Sequence, residues 1–109
     1  MLPLVSVQVI TYNHERFVAQ CLEGILMQRT NFPFEVIVGE DCSTDRTREI
    51  VFDYGRRFPD LIRVITSESN VGGLQNILRV QQACFVTIIL PSLIIIVPRN
   101  FQAASPLKT

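Results

Sequence analysis

No acidic residue follows Glu68 in this 109-residue sequence, histidine occurs once, and the three cysteines stand far apart. Each scarcity excludes something. The ten acids are balanced by ten basic residues, nine of them arginine and scattered singly or in pairs, so the net charge is zero. That leaves no electrostatic case for nucleic acid or an anionic membrane surface as partner. Cys21, Cys42 and Cys84 are odd in number and irregular in spacing, which fits neither a disulfide framework nor a zinc site and reads as reduced thiols in a cytoplasmic protein. No basic segment precedes the first apolar run, and Thr11 to Glu15 is polar, so no signal peptide is visible. The longest apolar run, Phe85 to Val97, is broken by Pro91 and falls short of the roughly 20 residues of a spanning helix. Its β-branched content points to buried strand. His14 has no evident partner in the sequence and is expected at the solvated surface.

What is present is a regular alternation. Leu4 to Ile10 reads as a short apolar strand ended by Thr11-Tyr12-Asn13. Phe17, Val18, Cys21, Leu22, Ile25 and Leu26 then recur at helical spacing from Glu15 onward, with Asn13 as the expected N-cap. Phe34 to Val38 is a second strand, closed by Gly39. Ser43 or Thr44 is positioned to cap a second helix, which Gly55 should end before Pro59. Leu61 to Ile65 is a third strand. A third helix is expected from about Leu74 to Ala83, burying Leu74, Ile77, Leu78 and Val80, and Phe85 to Leu90 would be a fourth strand. The order strand, helix, strand, helix, strand, helix, strand predicts an α/β fold: a mostly parallel sheet flanked by helices, with right-handed crossovers.

Parallel sheets bind ligands where strands deliver their carboxyl ends. That rule selects Thr11 to His14, Gly39 to Asp45 and Asn70 to Asn76, three polar segments expected along one edge. Thr11 and Asn13 offer hydrogen bonds and Tyr12 a flat face for a base, although Asn13 also fits a simple cap and Tyr12 simple core. Glu40 and Asp41 are adjacent acids at a strand end. They suit either the N3–H of a uracil and ribose hydroxyls or the positive end of the following helix dipole. Asp45 fits the dipole role. Gly72-Gly73 leads into a helix whose free N–H groups suit a phosphate, and Asn70 can stabilise the turn.

Taken in order, Val5-Ser-Val-Gln-Val-Ile-Thr-Tyr-Asn13, Phe34-Glu-Val-Ile-Val-Gly-Glu-Asp-Cys-Ser-Thr-Asp45 and Asn70-Val-Gly-Gly-Leu-Gln-Asn76 resemble the family-2 glycosyltransferases. The likeness covers about residues 2–84. It implies a partial GT-A (Rossmann-like) fold, with residues 1–84 as the nucleotide-sugar-binding half of a glycosyltransferase domain. It implies that Thr11, Tyr12 and Asn13 line a nucleoside pocket, that Asp41 with Glu40 contacts base or ribose, and that Asn70 and Gly72 shape the wall near the sugar phosphate. The implied donor is a nucleotide-diphosphate sugar, most often a UDP-sugar. The implied reaction is transfer, of hexosyl type, to an acceptor hydroxyl in cell-wall, polysaccharide or lipid-linked glycan synthesis, with Mg²⁺ or Mn²⁺ neutralising the leaving diphosphate. Many relatives act at the inner membrane face, which leaves peripheral membrane association open.

One part of the pattern departs from the family. The family's metal-binding aspartates follow the fourth strand, whereas Pro91-Ser92-Leu93-Ile94 follows the strand expected here, and no acid stands later. Residues 85–109 therefore read as an apolar strand and divergent tail, such as a frameshift or a decayed gene produces. The family's catalytic base would stand beyond Thr109, so the catalytic residues are unknown and this chain alone is expected to be incomplete and inactive. The competing reading is a catalytically dead nucleotide-binding module. A nicotinamide-dependent oxidoreductase is disfavoured, because Thr-Tyr-Asn-His stands where a G-x-G-x-x-G would follow the first strand.

Overall fold

The computed structural model describes Pro3, residues 5–84 and the backbone of residues 93–96. Its elements are β1 (Val5–Thr11), α1 (Val18–Leu26), β2 (Phe34–Glu40), α2 (Thr47–Arg57), β3 (Ile62–Ile65), α3 (Gly73–Ala83) and β4 (Leu93–Ile96). All pairings are parallel and the strand order is β3-β2-β1-β4. The chain thus starts in the middle of the sheet and grows outward on both sides. The register sets Val5 against Phe34 and Thr11 against Glu40, so β1 and β2 end level with each other.

Strand alternation divides the core. Val7 and Val9 of β1 and Val36 and Val38 of β2 join Val18, Leu22, Ile25, Val51 and Tyr54 of α1 and α2 in one large apolar cluster. Ile10 and Ile37 point to the opposite face, where Val80 and Cys84 meet them. Strands covered on both faces read as unbroken apolar runs, which is how they appear in the sequence. Each fully buried Val or Leu contributes roughly 1.5–3 kcal/mol. Tyr54 donates its hydroxyl proton to Glu23 at 2.6 Å and ties α2 to α1.

Several local expectations change. Asn13 does not cap α1: the helix begins at Val18, after a turn in which the His14 carbonyl accepts from both Phe17 and Val18. Gly55 does not end α2, which runs on to Arg57. A Cβ at Gly55 would meet Val64 Cγ2 at 3.3 Å, so this glycine lets β3 approach the helix. The helix stops because Phe58 precedes Pro59, whose ring disfavours α conformation at the residue before it; Phe58 adopts φ −130° and ψ 60°. Leu74 and Leu78 of α3 are exposed, at 69% and 45% of their surface, while Asn76 and Val80 are buried. The helix turns its Asn76–Val80 edge to β2 because Gly39 leaves room there: a Cβ at Gly39 would stand 2.6 Å from Asn76 Oδ1 and collide with Val80. The strand expected at Phe85–Leu90 lies outside the described residues. Among the described residues the fourth strand is Leu93–Ile96, so Leu93 and Ile94 themselves lie within a strand.

Candidate nucleotide site

Three segments leave the carboxyl ends of β1, β2 and β3, and they are bonded to one another. The first bond is backbone: Asp41 N donates to Thr11 O at 3.1 Å. Beyond it, Asn13 takes the left-handed conformation (φ 56°), which asparagine tolerates, and reaches into the β2–α2 loop. Its N–H donates to Ser43 Oγ at 2.9 Å, and its Oδ1 accepts from Thr44 N at 2.8 Å and Asp45 N at 3.3 Å. The Asn13 side chain thus satisfies backbone N–H groups on the approach to α2 and none of α1, which corrects the expected cap. Ser43 and Thr44 do not cap α2. Asp45 does so in effect: Oδ1 accepts from Thr47 N at 2.9 Å and Oδ2 from Glu15 N at 3.2 Å. Desolvation acts to raise the Asp45 carboxyl, but the hydrogen bonds from Thr47 and Glu15 outweigh it and hold it below the usual carboxylate value.

His14 is not at the surface. It is only 6% exposed, and its Nδ1 lies 2.8 Å from Thr11 Oγ1 and accepts from Tyr12 N at 3.2 Å. Because a backbone N–H can only donate, Nδ1 is the acceptor and the ring proton of the neutral form sits on Nε2. His14 N donates to Thr47 Oγ1 at 2.7 Å. Tyr12, half-buried between these anchors, is held by its backbone.

Glu40 is fully buried, and its carboxylate turns into its own loop. Oε1 accepts from Cys42 N and Thr66 Oγ1, both at 3.1 Å, and Oε2 from Ser43 N at 2.8 Å. These bonds hold Cys42 at φ 58°, a conformation that costs a non-glycine residue about 1–2 kcal/mol. Asp41, only 3% exposed, points the other way: Oδ1 accepts from Val71 N at 2.7 Å and Oδ2 from Gly72 N at 3.0 Å, while Asn70 Nδ2 donates to Asp41 O at 3.0 Å. Gly72, at φ 92°, is where the chain requires glycine before α3 begins. The structure therefore brings Thr11, Tyr12, Asn13, Glu40, Asp41, Asn70 and Gly72 to one edge, with Asp41 as the bridge between the second and third segments. The sequence reading missed Thr66, Ser67 and Arg79, and gave Asn76, at the end of the third segment, no role of its own; these four support that edge from behind. Asn76 and Arg79 are three apart on a helix and share a face, the one signal that could have found them.

Thiols lie away from this chemistry or at its margin. Burial pushes the Cys21 thiol up to about 11, and burial likewise raises Cys84. Among the described residues no group of three His, Cys, Asp or Glu side chains is placed to hold a metal ion. After β4 the sequence continues Val97-Pro98-Arg99, again without a carboxylate. The described side chains thus form no ready-made site for a divalent cation. Among the described residues, no helix is long and apolar enough to cross a membrane.

A parallel sheet of this order, with helices on both faces and a polar rim at its carboxyl edge, has the GT-A architecture of glycosyltransferases. Its solved neighbours include residues 1–349 of TarS from Staphylococcus aureus (TM-score 0.67, 31% identity, 84% of this chain and 26% of that one). Another is the mannosyltransferase PcManGT from Pyrobaculum calidifontis, solved with GDP-Man and Mn²⁺ (TM-score 0.57, 29% identity, 72% of this chain and 24% of that one). In sequence, an uncharacterized protein of Mycobacterium tuberculosis is 43% identical over 67 residues, which are 62% of this chain and 19% of that protein. Residues 6–90 match the family described as Glycosyl transferase family 2, and the chain belongs to that family. It spans about a fifth of the length of the mycobacterial relative.

Proposed function

We propose that this chain binds the nucleoside diphosphate portion of a sugar donor, a UDP-sugar in the first instance, at the edge formed by Thr11, Tyr12, Asn13, Glu40, Asp41, Asn70 and Gly72. The observation that carries this reading is the interlocking of three strand-end segments around Asp41. Tyr12 supplies an aromatic face for the base. Asp41 is the acceptor for a base N–H or ribose hydroxyl, exchanging one of its backbone donors for the ligand. Glu40 acts through the loop it holds in shape. The N–H groups that open α3 favour the diphosphate. Family membership and the neighbour's GDP-Man complex support a nucleotide sugar as the class of ligand.

Sugar transfer of the hexosyl type, toward polysaccharide or lipid-linked acceptors at the cytoplasmic membrane face, is the corresponding reaction of a complete enzyme. For the 109-residue chain the reading is binding without transfer, since no acid follows Glu68. The same absence favours the second reading, a nucleotide-binding module without catalysis. Calorimetric titration of UDP and GDP, each with and without Mn²⁺, tests both. Binding that Mn²⁺ leaves unchanged fits the module; binding that Mn²⁺ strengthens fits a working donor site. No heat with either nucleotide sinks the pocket itself.

A further inference from the structure

We infer that Arg79, on the helix behind the pocket, is the positioning residue that sets the orientation of Asp41. This rests on the nucleotide reading for its functional consequence, but its structural basis is separate. β3 ends at Ile65, opposite Gly39, so on that side the carbonyl of Glu40, the last residue of β2, runs past the end of its neighbour. Buried carbonyls without a ladder partner need donors from elsewhere. α3 provides the donor for Glu40: Arg79 Nη2 donates to Glu40 O at 3.0 Å, one residue on from Gly39, whose O accepts from Asn76 Nδ2 at 2.9 Å. The rest of the guanidinium is fixed as well. Nε donates to Asn76 Oδ1 at 2.8 Å and Nη1 to Ser67 Oγ at 3.1 Å, in the segment that follows β3.

The consequence falls on a single peptide plane. The bond between Glu40 and Asp41 is planar, so fixing its two ends fixes the direction in which Asp41 departs. Arg79 holds the carbonyl end, and Thr11 O holds the N–H end at 3.1 Å. From that plane the Asp41 carboxylate reaches Val71 and Gly72. One planar fork therefore joins β2, the post-β3 segment and α3 at the residue proposed to meet the nucleotide. A lysine keeps the charge but not the fork, and it cannot hold three acceptors in fixed directions. Arg79's partners are all neutral oxygens, which separates this role from that of a simple ion pair.

The test uses the full chain with R79A and R79K, well below the melting temperature of each. Amide hydrogen exchange is read at Val71 and Gly72, whose N–H groups Asp41 holds, and at Val9 and Val51 in the opposite core as internal controls. UDP affinity is measured alongside. In R79A, exchange at Val71 and Gly72 accelerates about tenfold while the controls hold, and UDP binding weakens about tenfold. R79K recovers less than half of either loss, because charge alone is insufficient. A general loss of stability would instead raise exchange at all four amides together, and that pattern, or unchanged exchange at Val71 and Gly72 in folded R79A, overturns the inference. Should R79A not fold, R79K decides by the same amides. If the unaltered chain binds no UDP, the nucleotide reading fails, while the exchange arm still decides the role of Arg79.

Discussion

The two faces of the sheet are built differently. Under α1 and α2 lies a continuous apolar cluster of Val7, Val9, Val18, Leu22, Val36, Val38 and Val51. Under α3 the apolar cluster is small, with Ile10, Ile37, Val80 and Cys84, and polar groups share the interface. There Gln8 Nε2 donates to Gln81 Oε1 at 2.8 Å, the Ser6 hydroxyl bonds Glu35, and Arg63 donates to Ala83 O at 2.7 Å as well as pairing with Glu35. Burying polar groups stabilises less than burying apolar ones, because their bonds replace bonds to water. The difference teaches a division of labour: one face supplies stability, and the other accepts directional bonds that place the carboxyl-edge loops.

Substitutions can break that contrast, beginning with the largest effect. Leu22→Ala, at a fully buried site in the apolar face, is expected to cost about 2–5 kcal/mol in chemical denaturation while leaving nucleotide affinity of the folded fraction intact. Gly39→Ala sits on the other face and should do both kinds of damage. It forces α3 off β2 at a cost of about 1–3 kcal/mol and disturbs the Asn76 and Arg79 bonds, so denaturation and UDP titration should both change. A folded Gly39→Ala variant with unaltered UDP affinity would show that α3 does not set the pocket.

Asp41→Ala removes an acceptor of two backbone N–H groups. Nucleotide binding should weaken by about 1–3 kcal/mol, and the folded variant should lose exchange protection at Val71 and Gly72. Asp41→Ala with unchanged affinity excludes a ligand role for that carboxylate. The smallest effect is expected at Asp45. Its folded carboxyl titrates below the unfolded value of about 3.9, so it contributes stability above that pH, and the contribution is lost as pH falls through the folded value. Acid titration of unfolding should show a shallower slope below about pH 4 in Asp45→Asn than in the parent chain.

How much of this was legible beforehand depended on whether the signal was local. β1, β2 and β3 were found within a residue or two, because strands covered on both faces must be apolar throughout. The three helices were found from their periodicity and the three polar segments from their place after strands. The phase of α3 was not legible: Leu74 and Leu78 look like core, yet the helix turns on a contact with Gly39 that lies far away in sequence. The burial of His14 escaped for the same reason, since Thr47, which receives its N–H, arrives from another element. Gly55 looked like a stop signal because its actual role, admitting β3, involves a strand not yet formed at that point in the chain.

By itself the sequence determined the alternation of strands and helices, the family, and the want of carboxylates after Glu68, since composition and short-range pattern carry all three. Only the tertiary structure decided which way each polar side chain points: Glu40 into its own loop, Asp41 toward Val71 and Gly72, Arg79 onto Glu40 O. The physical reason is that a hydrogen bond is specified by the direction and distance of two groups. For these residues the partner group is supplied by a separate strand end, loop or helix, which only the folded sheet brings within reach.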